Sequence, residues 1–251
     1  MKNKKCDTLT ISNQKGGVAK TVTSAAVGSV LADMGYNVLL IDLDGQGNLS
    51  HTFLDNIPHD TVADMLNDGI LPIVPIRKGL DIIPCNSSIS AIAQAMSGPE
   101  DRLILKKALD KVRDRYDYII IDCPPAYNYI TINAYTAADY IFVPCQTDED
   151  CREGIMLMAD ACLTAAPPKT ISGIFFTMYD PRPKVNREIE QEICEKYGTL
   201  VLNTRISACC KVKEARRKRM DTVSYAPNSK PAKEYISLVN EILGIIKQDE
   251  R

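Results

Sequence analysis

The chain has 251 residues and a formal net charge of −2, so it carries no overall bias toward polyanions. Its 45% hydrophobic and 25% charged residues match a globular protein, and the length suits one α/β domain spanning residues 1–251. No apolar run approaches the roughly 18 residues that a bilayer span needs. Nine cysteines occur, none in a C-x-x-C pair and with no apolar stretch after the basic residues 1–5. They read as reduced thiols of a cytoplasmic protein.

β-prone and helical segments alternate along the chain. Residues 8–12 read as a strand and residues 20–34 as a helix. Further strands are expected at 37–42, 79–84, 117–122, 139–144 and 170–177. Helical patterns cover 61–67, 88–96, 100–114, 150–165, 184–196 and 232–247. Continuous apolar strands such as Tyr118-Ile119-Ile120-Ile121 are buried on both faces. The expected fold is therefore doubly wound α/β, a mostly parallel sheet with helices on both faces. Ligands in such folds sit beyond the C-terminal strand ends.

Between the first strand and first helix lies Asn-Gln-Lys-Gly-Gly-Val-Ala-Lys-Thr, residues 13–21. Glycines let backbone N–H groups curl around phosphate oxygens, and the helix N-terminus adds its positive dipole end. Lys20 neutralises charge, and the Thr21 hydroxyl can hold Mg²⁺. Positions 14 and 19 are Gln14 and Ala19 where the usual phosphate loop has glycines. A second lysine, Lys15, stands at the loop's start. It is badly placed for its own chain's phosphates and better placed for a nucleotide across a subunit interface. Alanine at 19 favours negative φ, which would tighten or reshape the loop.

Two carboxylates, Asp42 and Asp44, follow the second strand, and a Walker B pattern ends in Asp122-Cys123-Pro124-Pro125. A hard, hydrated Mg²⁺ is served by a carboxylate at such a strand end together with the loop hydroxyl. The alternative for Asp42 and Asp44 is an Asx turn closing the strand. Cys123 reads as a small residue tolerated in a tight turn.

Residues 15–21 resemble the deviant Walker A motif of the ParA/MinD ATPases. Asp42-Leu43-Asp44-Gly45-Gln46-Gly47-Asn48 resembles that family's Asp-x-Asp-Pro-Gln-Gly-Asn switch, with Gly45 in place of proline. Asp122-Cys-Pro-Pro and the segment Tyr225 to Ser229 also match, closest to the ParA branch. The resemblance implies nucleotide binding by Lys15, Gly16, Gly17, Val18, Ala19, Lys20, Thr21 and Val22, with Pro227 and Asn228 at the adenine. It implies Lys15, Lys20 and Asp44 as catalytic groups, Asp44 orienting water, and Thr21, Asp42 and Asp122 around Mg²⁺. The Phe176 to Arg182 stretch resembles a family strand end, without assigned chemistry.

Residues 205–219 carry seven positive charges and one negative, so the rest of the chain sums to −8. Counterion release rewards such a cluster on duplex DNA. The absence of interleaved aromatics argues against single-strand stacking. The resemblance points to Arg205, and charge to Lys211, Lys213, Arg216, Arg217, Lys218 and Arg219. A solvated helix face is the alternative. The expected protein is an ATP-dependent DNA-partitioning ATPase, nucleoid-associated, that dimerises with ATP and Mg²⁺. It would bind duplex DNA nonspecifically and release it when a ParB-type centromere-binding protein stimulates hydrolysis. The rivals are a MinD-like membrane-associated positioning ATPase, an iron–sulphur carrier on the same fold, and a weakly hydrolysing ATP switch. The last helix, with Tyr235, Ile236, Val239, Ile242, Leu243 and Ile246 in a core-facing period, ends in mixed charge, so no membrane partner is expected.

Overall fold

In the computed structural model, residues 6–249 are described. The basic residues 1–5 and the last two of the tail lie outside them. Eight strands are formed among the described residues: β1 (Asp7–Ile11), β2 (Val38–Asp42), β3 (Val74–Arg77), β4 (Leu80–Ile83), β5 (Tyr118–Asp122), β6 (Tyr140–Cys145), β7 (Gly173–Tyr179) and β8 (Val201–Ser207). The helices are α1 (Lys20–Asp33), α2 (Asn48–Phe53), α3 (Val62–Asp68), α4 (Ile89–Ala95), α5 (Ile104–Leu109), α6 (Tyr129–Ala137), α7 (Cys151–Cys162), α8 (Lys184–Tyr197), α9 (Cys210–Arg217), α10 (Thr222–Tyr225) and α11 (Lys230–Asp249).

The strands form one sheet in the order β3-β4-β2-β5-β1-β6-β7-β8. All pairs are parallel except β3–β4. Successive side chains of a strand point to opposite faces, and this divides the core in two. Leu39, Ile41, Ile119, Ile121, Ile141, Val143, Ile174 and Phe176 pack under α3 to α8. Val38, Leu40, Tyr118, Ile120, Tyr140, Phe142 and Phe175 pack under α1 and α11. Gly28 lets α1 lie close on β2, because a Cβ there would come 2.5 Å from Leu40 Cδ2.

The doubly wound, mostly parallel arrangement agrees with the sequence reading. Several details differ. β3 and β8 lie outside the expected strands: β3 is an antiparallel edge strand holding Pro75, and β8 fully buries only Leu202 and Ile206. The expected helix over 100–114 is α5 flanked by 3-10 turns at Pro99–Leu103 and Arg113–Arg115. The tightened turns still deliver Leu105, Leu109 and Val112 to the core. In α11, Ile236 is exposed while Tyr235, Val239, Ile242, Leu243 and Ile246 are buried.

The strand ends are in register at one edge. Asp122 is level with Ile11 of β1 on one side and with Asp42 of β2 on the other. The phosphate loop, both aspartates and the segment after β2 therefore converge above β1, β2 and β5.

Candidate nucleotide site

The loop between β1 and α1 is anchored from its neighbours. The Asn13 amide donates to Pro144 O at 2.9 Å, and Asn13 Oδ1 accepts from Lys15 N. Thr177 Oγ1 donates to Val18 O at 3.1 Å, and Gln146 Nε2 donates to Gly17 O at 3.0 Å. Val18 is buried beneath the loop. Ala19, the N-cap of α1, does not keep a negative φ. It adopts φ 63°, a left-handed conformation that costs an alanine about 1 kcal/mol. The loop thus keeps a glycine-type bend with an alanine in it, because the anchors on both sides hold it there.

Lys20 is buried, and its ammonium donates to Lys15 O at 2.9 Å. Burial lowers its pKa, opposed by the charges of Asp122, Cys123 and Asp44. Asp122 is wholly buried. Its Oδ1 accepts from Ser24 Oγ at 2.8 Å, while its Oδ2 has no hydrogen-bond partner. Burial and then the neighbouring Asp42 raise its pKa; the Thr21 and Ser24 hydroxyls and Lys20 pull the other way. A buried carboxylate oxygen without a donor, beside Thr21, fits a Mg²⁺ ion or a water of its shell. Asp42 is different. Its Oδ1 accepts from Asp44 N, and its Oδ2 from both Ser50 N and Ser50 Oγ. Burial raises its pKa and those bonds hold it down. With both oxygens engaged, Asp42 braces the segment that carries Asp44, and Asp122 is left as the open carboxylate.

Asp44 is partly exposed, and its Oδ1 accepts from Gln46 N in an Asx turn. Lys15 points away from the loop. Its ammonium lies 2.7 Å from Asp148 Oδ2 and 2.9 Å from Asp150 Oδ2, in the connection from β6 to α7. The two carboxylates raise its pKa against the desolvation of the site.

A cavity of about 480 Å³ opens beside the loop. Gly17, Ala19, Lys20, Thr21 and Val22 form its floor, and Asp44, Gln46 and Asn48 one side. Met178, Lys213, Arg216 and Met220 to Thr222 form the rest. Pro227 and Asn228 are not in this wall. Asn228 instead borders a separate depression with Lys230, Lys233, Glu234 and Ser237.

The basic segment is not one surface. Arg205 lies on β8, where its guanidinium bonds Glu190 and Leu202 O and stacks 4.9 Å from the Phe176 ring. Lys211 pairs with Glu214 at 2.8 Å, and Arg219 reaches Asp55 across from α9. Arg217 and Lys218 are exposed. Sequence reasoning missed Ser24, Ser50, Gln146, Asp148 and Asp150. Thr177 lies in the Phe176 to Arg182 stretch, to which the resemblance assigns no chemistry.

This fold and loop define a P-loop ATPase architecture. A family profile described as an AAA domain matches residues 6–164. The chromosome-partitioning ATPase Soj of Treponema pallidum (strain Nichols) is 35% identical over 246 residues, covering 94% of this chain and 96% of that protein. The chromosome partitioning protein ParA of Caulobacter vibrioides (strain NA1000 / CB15N) is 34% identical over 250 residues, covering 94% and 93%. Among solved structures, a cobyrinic acid a,c-diamide synthase from Mycobacterium smegmatis with bound ADP and magnesium superposes with a TM-score of 0.80 at 28% identity, over 96% of each chain. The chain belongs to the ParA/MinD superfamily of P-loop ATPases, with Soj and ParA proteins among its relatives.

Proposed function

We propose that this chain is an ATP- and Mg²⁺-dependent ATPase that partitions DNA. The observation that carries the ATPase reading is the buried, donorless Oδ2 of Asp122, with Thr21 and Lys20 beside it and both of these lining a cavity of nucleotide size. Gly16 to Val22 cradle the phosphates, and Lys20 offsets their charge. Mg²⁺, held by Thr21 and Asp122 with Asp42 behind them, would neutralise charge developing between the β- and γ-phosphates. Asp44 orients the attacking water. Lys15 leaves Asp148 and Asp150 to reach a partner subunit's phosphates, so that hydrolysis depends on an ATP-bound homodimer.

Relatives named for chromosome partitioning support the biological role. The dimer binds duplex DNA nonspecifically through exposed cations of α9 and the turn after it, led by Arg217 and Lys218. A ParB-type partner stimulates hydrolysis and release, and the protein acts in the cytoplasm on the nucleoid. A membrane-positioning role is less well supported. The apolar stripe of α11 is packed against α1 and β8, and among the described residues no helix is long and apolar enough to cross a membrane.

The test is binding to a nonspecific duplex without nucleotide, with ADP and with ATP–Mg²⁺, over a salt series. Binding only with ATP, weakening steeply with salt, is the expected result. Equal binding in all three states, or none, would overturn the DNA-switch reading.

A further inference from the structure

The cations of α9 and of the turn after it face two ways. Lys211 is tied to Glu214 and Arg219 to Asp55. Lys213 and Arg216 line the cavity that also holds Lys20, Thr21 and Asp44. Neither forms an ion pair with any described residue. Among the described residues the side chain of Arg216 makes one hydrogen bond, a neutral one, Nη2 to Asn48 Oδ1 at 3.1 Å. That acceptor lies four residues beyond Asp44, which places the guanidinium on the switch side of the cavity. The apolar lining, Val22, Ala25, Met178 and Met220, offers a surface for a base.

The cavity wall is fixed in this direction by the end of α9. Arg219 takes φ 52°, Arg219 N bonds Arg216 O, and Met220 N bonds Ala215 O, both at 3.1 Å. This is a Schellman-type stop with arginine in the left-handed position that glycine usually fills. The stop turns Met220 and Asp221 into the cavity wall. Asp221 in turn accepts from Val223 N and Ser224 N and caps α10.

We propose that Lys213 and Arg216 are nucleotide-binding residues that clamp the phosphates of ATP and ADP from the side opposite Lys20, rather than part of the DNA surface. An exposed arginine with unused donors at the edge of a nucleotide-sized cavity makes charge-assisted, bidentate contacts to a phosphate that a neutral amide cannot replace. The basic segment is thereby divided: its cavity face reads the nucleotide, and its outer face, Arg217 and Lys218, meets DNA. The inference rests on the cavity being the nucleotide site.

The experiment is calorimetric titration of ADP–Mg²⁺ and ATP–Mg²⁺ into the full chain and into R216Q, K213Q, the double variant of these two, R216K and R217Q. R216Q is expected to weaken ADP about tenfold, K213Q less, and the double variant more than either. R216K should recover part of the loss. R216Q should also flatten the dependence of ADP affinity on salt. Its loss should exceed that of R217Q at least fivefold, while R217Q loses more duplex binding. Adenosine, which has no phosphates, should bind both proteins alike. Thermal unfolding without nucleotide separates a folding defect from a binding one. If the unchanged chain binds ADP and R216Q binds it equally well, the proposal is overturned. If the unchanged chain binds no nucleotide, it is the ATPase reading that fails.

Discussion

The two walls of the cavity are built differently. The phosphate loop hangs from β6 and β7 by buried hydrogen bonds, the Asn13 amide donating to Pro144 O and the Thr177 hydroxyl to Val18 O. The opposing wall, α9 to α10, is mostly exposed. Ala215 is the buried residue of α9, and the link to the switch segment is two surface contacts, Arg216 to Asn48 and Arg219 to Asp55. One wall is preorganised for phosphate before ligand arrives. The other is seated through α10, with Val223 in the core, but its α9 part is tied to the switch segment only by exposed contacts worth little in water and can follow the nucleotide's state. Sites that must bind tightly and still switch need both kinds of wall.

Five experiments would break or sharpen this contrast. Asp44 sits where the walls meet, so Asp44→Ala is expected to lower partner-stimulated hydrolysis about 100-fold while ATP still binds; turnover near normal would remove it from water orientation. Lys15→Ala should lower dimer-dependent hydrolysis by a similar or somewhat smaller factor while leaving ADP affinity within a few-fold, read by steady-state turnover and calorimetry. Undiminished stimulated turnover would sink the cross-subunit role. On the rigid wall, Thr177→Val leaves Val18 O without its donor and should destabilise by about 1–3 kcal/mol, seen in urea unfolding, with weaker ADP binding. On the adjustable wall, Asp221→Ala removes the α10 cap and should cost about 1 kcal/mol. If it costs more than Thr177→Val, the contrast between the walls is reversed. The smallest effect is Ala19→Gly, which relieves left-handed strain and should raise stability by up to about 1 kcal/mol. A loss of stability there would show the alanine to be unstrained.

The phosphate loop itself was legible in the sequence; its anchors Gln146 and Thr177 and the direction of the adjustable wall were not, for physical reasons. Phosphate chemistry needs glycines, a lysine and a hydroxyl at short, fixed spacing, and β5 ends its apolar run on Asp122. Local order therefore carries most of that information. β8 escaped because it fully buries only Leu202 and Ile206 and includes Arg205, whose charge drew it into the basic segment. In α9 charge gave a count without a direction. Nothing in residues 210–219 says which cations face the cavity, because that depends on where β8 and the Schellman stop aim the helix. The tether of Lys15 to Asp148 and Asp150 joins positions more than 130 apart in the chain, beyond any spacing rule. Ala19 was read as favouring negative φ, but the fold imposes the opposite sign.

The alternation of residues along β2 and β5 also governs how this sequence can vary. One inserted or deleted residue in either strand would exchange the two core layers. The same slip would carry Asp42 or Asp122 out of its shared level with Ile11. Packing and chemistry would be lost together. Length changes in lineages of this protein should therefore fall in the connections, such as residues 54–60, and leave these strands at constant length.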